Sequence, residues 1–268
     1  MRGGVAVIAS ALMVCGLVRL EAQRGNAEAA RAPKAAAPID LTGYWVSIVT
    51  QDWRWRMVTP AKGDYLGIPM TVEAKKVADA WDPAKDEAAG EQCRSYGAPA
   101  QLSVPARLHI TWQDDNVLRV DTDAGMQTRL FRFGAAPAPH DAPRTWQGVS
   151  VARWQPARAG AGFGALLLRP AERTSDDKPP VPKGGSLKVV TTNLRPGYLR
   201  KNGVPYSANA VLTEYWDLYR RPSGEEWLTV TTEIVDPQYL REPRLVALPF
   251  KKEPNGAKWD PAPCSSRW

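Results

Sequence analysis

Apolar and polar residues alternate in short runs along most of the chain, and Gly, Pro, Asn and Asp separate the runs. This is the pattern of half-buried strands joined by turns. Strands are expected at 43–50, 53–58, 108–113, 117–122, 127–133, 148–154, 186–192, 210–219, 227–235 and 245–250. Helical spacing occurs once, over 71–81: Thr71 can cap it, Val72, Val77 and Trp81 recur near the helical period, and Asp82-Pro83 ends it. Loops rich in Pro, Ala and Gly are expected at 135–143 and 174–185. The expected fold is mainly β: a single antiparallel barrel or strongly curved sheet with one short helix.

One hairpin can be read to its register. Leu108, Ile110 and Trp112 are apolar at even positions, and so are Leu118 and Val120. Antiparallel partners share a face, so even must pair with even, which requires an odd-length turn. Asp114-Asp115-Asn116 supplies it, with Asn116 in the left-handed conformation. His109 then lies opposite Asp121, and Thr111 opposite Arg119.

The start of the chain changes the compartment. Met1-Arg2 precedes the apolar run 5–18, too short to span a bilayer comfortably and suited to a cleaved secretory signal over 1–23. Acylation of Cys15 as a lipoprotein anchor is the second reading. Residues 24–38, rich in Ala with scattered charge, read as a flexible linker, and 39–268 as a single β-rich domain. Periplasmic or secreted localisation follows, with no transmembrane span after cleavage.

Export also changes what the composition means. The net charge of +7 becomes +6 when Arg2, Arg19 and Glu21 are removed. On an exported domain such charge points to anionic surfaces or acidic ligands rather than nucleic acid. Cys15 leaves with the signal, and Cys93 and Cys264 remain as an even pair in an oxidising compartment. Their expected disulfide closes a long loop, worth at most about 5 kcal/mol of chain entropy.

Three sets of residues can carry chemistry. His109 and Asp121 form a general-base dyad if their face lines a lumen, and an ordinary cross-strand contact if it faces water. Trp53 and Trp55 alternate with Arg54 and Arg56, so a strand there places two indoles on one face and two guanidiniums on the other. With Tyr44 and Trp45 they can line a pocket for a flat or hydrophobic ligand, Arg54 or Arg56 meeting an acidic group; otherwise they are a tryptophan core with solvated arginines. Glu214, inside a strand, is an acid or base if it points inward. Asp114, Asp115, Asp121 and Asp123 do not follow a calcium loop, and neither a metal nor a cofactor is expected. The run 160–164, Gly-Ala-Gly-Phe-Gly, lacks the strand-to-helix setting of a nucleotide loop.

Several passages in order, Asp-Leu-Thr-Gly-Tyr-Trp at 40–45, Glu-Gln-Cys-Arg-Ser-Tyr-Gly-Ala-Pro at 91–99, 146–154 with 186–192, and 212–243, resemble a group of uncharacterised exported bacterial β-rich proteins. The first passage is also similar to the opening strand of lipocalins. The resemblance implies an exported β domain and assigns no catalytic residue. Three functions stay open. One is a carrier of a small hydrophobic or aromatic molecule in a barrel pocket. The second is a cofactor-independent isomerase, lyase or hydrolase using His109 and Asp121. The third is a structural envelope protein without a pocket.

Overall fold

The computed structural model describes residues 31–135, 142–157 and 184–267. The expected signal segment with Cys15, the run 160–164 and most of the two expected loops lie outside them. The expected barrel is there. Its strands are β1 (Gly43–Ser47), β2 (Arg107–Trp112), β3 (Val117–Thr122), β4 (Gln127–Phe133), β5 (Val149–Pro156), β6 (Gly185–Thr192), β9 (Val211–Arg220), β10 (Glu226–Val235) and β11 (Arg244–Glu253). Two short strands, β7 (Gly197–Tyr198) and β8 (Pro205–Tyr206), pair separately.

The order around the barrel is β1-β11-β10-β9-β6-β5-β4-β3-β2, closed. Strand directions cannot alternate all the way round a ring with an odd number of members, so one neighbouring pair has to be parallel. That pair is β4 with β5, in the register Phe131↔Ser150. The fully antiparallel expectation is corrected here. Residues 134–148 separate the two strands along the chain, length enough for the connection that a parallel pair needs.

Period-2 patterning decides which side chains fill the barrel. Trp45, Leu108, Ile110, Leu118, Phe131, Leu187, Val189, Trp216, Leu228, Val230, Leu248 and Phe250 point inward and are essentially inaccessible. The lumen is packed with side chains, as in small barrels generally. The hairpin register holds: His109 pairs with Asp121 and Thr111 with Arg119. Its turn works differently from expectation. Asn116 is not among the residues with positive φ. Instead, the Asp114 carboxylate accepts the Asn116 N–H at 2.7 Å, an Asx turn.

A helical cap covers one end of the barrel. Its elements are α1 (Trp53–Arg56), α2 (Val72–Asp79), α3 (Pro83–Ala88), a 3₁₀ turn (Gln92–Tyr96) and α4 (Ala98–Gln101). The Thr71 hydroxyl caps α2 by accepting the Ala74 N–H at 3.2 Å. Asp82-Pro83 does more than end that helix. It opens the next, Asp82 accepting the Ala84 N–H and Pro83 taking the first turn. The single helix expected from periodicity is therefore one of several.

The strand expected at 53–58 is corrected to a helical turn, α1. Asp52 sits in the left-handed region at φ 55 and turns the chain, after which Met57 N–H donates to Trp53 O at 2.8 Å. Four alternating residues fit either period, and the cap settles the matter by burying Arg56. The cap has its own apolar core around Met70, Ala74, Ala78, Leu199, Val204, Tyr206 and Leu240. Gly97 is needed there, since a Cβ would fall 2.0 Å from the Tyr206 hydroxyl oxygen.

Cys93, on the 3₁₀ turn, is disulfide-bonded to Cys264 near the C-terminus. Within the expected linker, Lys34 N–H donates to Asp115 O, and Pro33 O accepts from the Trp154 indole at 2.8 Å, so this part lies against the barrel.

Candidate functional site

Where β11 begins, its inward row reads Arg244, Val246, Leu248, Phe250, and the arginine stands at the barrel mouth under the cap. Three other segments meet it. Asp52, Trp55 and Arg56 come from α1 and its start, Ser95, Ala100, Ser103 and Val104 from the stretch after the disulfide, and Leu199, Arg200 and Lys201 from the turn between β7 and β8. Together they enclose a cleft with a cavity of about 20 Å³, room for one or two water-sized groups.

The cleft is strongly cationic. Arg56, Arg200 and Arg244 retain only 4%, 7% and 7% of their surface, and Lys201 4%. The carboxylate on the cleft is Asp52, at 3.7 Å from Arg244 Nη2 and 4.0 Å from Arg200 Nη2. Arg56 donates from Nε to Ser103 O at 2.8 Å and from Nη2 to the Ser47 hydroxyl at 3.1 Å, while its buried Nη1 finds no partner among the described residues. Arg200 donates to Leu66 O at 2.8 Å. Arg244 has its long contact to Asp52 and no hydrogen bond within the described residues.

Burial and mutual repulsion show in the proton affinities. Burial lowers that of Arg56 and of Arg200, partly opposed in both by Asp52. Arg244 is brought down to about 10, by burial first and then by Arg200 and Arg56 against the pull of Asp52. Burial brings Lys201 to about 8. Its ammonium donates to the Tyr96 hydroxyl at 2.7 Å and lies 4.6 Å from the centre of that ring. Such an array is what an anion needs: donors already oriented, desolvated and in excess of the local negative charge.

The structure divides the aromatic and arginine residues expected to act together. Trp55 and Arg56 reach the cleft, whereas Trp53 is 63% exposed and Arg54 turns outward to bond Asp64 at 2.8 Å. The Trp55 ring is taken by cations, with Arg200 at 4.5 Å and Arg54 at 4.9 Å from its centre. Trp45 fills the lumen and donates its indole N–H to Leu41 O. Tyr44 lies on the outer wall, stacked on His109 at 4.1 Å with 3° between the rings, and Trp259 packs edge-on to both.

His109 and Asp121 are register neighbours on that outer wall, yet no hydrogen bond joins them. Asp121 accepts instead from Arg119 Nε at 2.7 Å and from the Thr128 hydroxyl at 2.5 Å. Glu214 does point inward, where Arg129 meets it with two parallel bonds of 2.8 and 2.6 Å. That glutamate is committed to an ion pair.

Arg200, Lys201 and Arg244 were not singled out from the sequence. Arg244 carried a signal: it stands in phase with Val246, Leu248 and Phe250, an arginine in an inward slot. Arg200 and Lys201 sit in a turn, where basic residues attract no notice. Among the described residues no cluster of His, Cys, Asp and Glu fits a metal ion, and no helix is long and apolar enough to cross a membrane. No protein-family model, curated protein or solved structure matches the chain.

Proposed function

We propose that this protein binds a small organic acid, whose carboxylate or phosphate enters the cleft at the barrel mouth while its apolar body stays outside. The observation that carries the reading is Arg244: a buried guanidinium with no hydrogen bond among the described residues, beside two more buried guanidiniums, with Asp52 in ion-pair range of Arg200 and Arg244 alone. A fold gains little by desolvating cations that it leaves unpaired. An incoming anion supplies the missing partner. The cavity of about 20 Å³ admits a headgroup and not a whole ring system, and the packed lumen directs the ligand to the mouth. Binding rather than turnover is favoured, because the His109 imidazole is stacked on the outer wall and the Asp121 carboxylate is engaged elsewhere.

The same reading places the protein outside the cytoplasm. The Cys93–Cys264 disulfide and the apolar start of the chain support an exported carrier.

A thermal-shift and calorimetric panel of benzoate, phenyl phosphate, inorganic phosphate, phenol and benzyl alcohol tests the assignment. The acids are expected to bind and the neutral analogues not, with Arg244→Gln losing the acids. Equal binding of phenol and benzoate, or acid binding unchanged in Arg244→Gln, defeats it.

A further inference from the structure

The cleft opens beside an apolar rim that the fold leaves uncovered. Trp53, Met57, Val58 and Leu66 are 63%, 54%, 56% and 68% exposed, among the most exposed large apolar side chains described. They are close in space. Trp53 opens α1 and Met57 caps its end one turn later, where the Met57 N–H donates to Trp53 O. Leu66 is tied to the same place twice over, since Arg54 bonds Asp64, and the Arg200 guanidinium spans from Leu66 O to the Asp52 carboxylate. Asn202 completes the tie by donating to Ala61 O and Asp64 O at 3.1 and 3.0 Å. The loop 61–66 is thus held against α1 by polar contacts beneath, while its leucine and the α1 apolar residues turn outward.

An exposed patch of this kind marks a contact surface. Its partner is indicated by what surrounds it. One buried arginine of the cleft, Arg56, lies within the same segment, next to Met57 and three residues after Trp53, and a second, Arg200, donates to the Leu66 carbonyl. Arg54 and Lys62 are exposed in the same segment. Apolar side chains with a tryptophan among them, flanked by basic ones, suit the boundary between anionic headgroups and acyl chains. Trp and Leu enter the acyl edge, and the guanidiniums meet phosphate.

We propose that the rim of Trp53, Met57, Val58 and Leu66 docks on an anionic phospholipid surface, with a lipid phosphate entering the cationic cleft. This rests on the acid-binding reading of the cleft and narrows its ligand to an amphiphile with a phosphate head.

Co-sedimentation of the full chain with vesicles of phosphatidylcholine alone, and of phosphatidylcholine with a third of phosphatidylglycerol, measures the docking. Inorganic phosphate, followed by calorimetry, measures the cleft by itself. Binding to the anionic vesicles is expected to exceed that to the neutral ones at least tenfold. Trp53→Ser/Leu66→Ser is expected to lower vesicle binding about tenfold and leave phosphate binding unchanged. Both positions are exposed, and Trp53→Leu, which keeps the apolar character, is expected to retain vesicle binding. Arg244→Gln is expected to weaken both.

Equal binding to the two vesicle types overturns the proposal. So does vesicle binding that the double serine variant retains, which marks attraction by net charge alone, or vesicle binding indifferent to Arg244→Gln. If the full chain ignores inorganic phosphate while its anionic-vesicle binding still depends on Trp53, Leu66 and Arg244, the free small-acid reading fails and the lipid one stands.

Discussion

Buried arginines occur at two places in this protein, Arg129 inside the barrel and Arg56, Arg200 and Arg244 at its mouth, and the fold treats the two places differently. Inside the barrel, Arg129 meets both oxygens of Glu214 and also donates to the Thr191 hydroxyl, which is itself bonded to Ser150. At the mouth, Arg200 and Arg244 share Asp52 at salt-bridge range only, Arg56 is bonded to Ser103 O and the Ser47 hydroxyl, and the Arg244 guanidinium makes no hydrogen bond among the described residues. The first is balanced in charge, both carboxylate oxygens meeting the guanidinium, although Arg129 Nε finds no partner among the described residues. The second is held open, with donors left over. Burial alone therefore does not identify a binding site; burial with an unbalanced charge does.

Breaking the closed pair has the largest expected effect. Arg129→Met strands a buried carboxylate and should cost about 3–5 kcal/mol in urea unfolding. Arg129→Met with Glu214→Leu should cost much less, because no charge is left unpaired. Equal losses in the single and double variants would remove the pair from the account.

Next comes the link that holds the cap. Cys93→Ser with Cys264→Ser should cost about 2–4 kcal/mol, read by the same unfolding curves. Acid affinity should fall with it, since the 3₁₀ turn carrying Ser95 and Tyr96 loses its tie to the C-terminal segment.

Opening the comparison from the mouth side should affect stability little and binding strongly. Arg244→Met is expected to unfold within about 1 kcal/mol of the parent or above it, because a poorly paired charge leaves the interior. Loss of one charge-assisted contact should weaken acid binding about ten- to a hundredfold. A large destabilisation without change in affinity would reverse the roles assigned to the two groups.

The pH dependence sharpens the same contrast. The Lys201 ammonium, brought to about 8 by burial, is held below its ordinary value of 10.5. Between about 8 and 10.5 the unfolded chain binds more protons at this residue than the folded one, so its contribution to stability rises with pH across that window. Acid affinity should run the other way, falling as Lys201 and then Arg244, near 10, lose their protons. Lys201→Gln should flatten the lower part of both slopes.

The smallest effect belongs to the outer wall. His109→Ala gives up the stack on Tyr44, about 1 kcal/mol, and should leave acid binding as it was. A loss of binding there would bring the outer wall back into the functional site.

How much of this was legible in the sequence depended on the range of the interaction. The hairpin register could be read because period-2 patterning and an odd turn leave one pairing that keeps the apolar faces together. The Thr71 cap and the strands at 117–122 and 127–133 were legible for the same local reason, and the cysteine pair because the expected removal of Cys15 leaves an even two. The turn at α1 was misread because four alternating residues carry both periods, and the choice was made by where Arg56 could be buried. The parallel pair was missed because it follows from the number of strands that close the ring, a property no single segment contains.

The sequence by itself determined the β character, the register of one hairpin and the cysteine pair, because these depend on neighbours along the chain or on a count of residues. Only the tertiary structure decided the site. Asp52, Arg56, Arg200 and Arg244 come from segments far apart in the chain, and each alone is an ordinary charged residue. Closing the barrel and laying the cap over its mouth is what buries the three arginines together beside one half-exposed carboxylate, and it is that shared burial of unbalanced charge on which the proposed anion site rests.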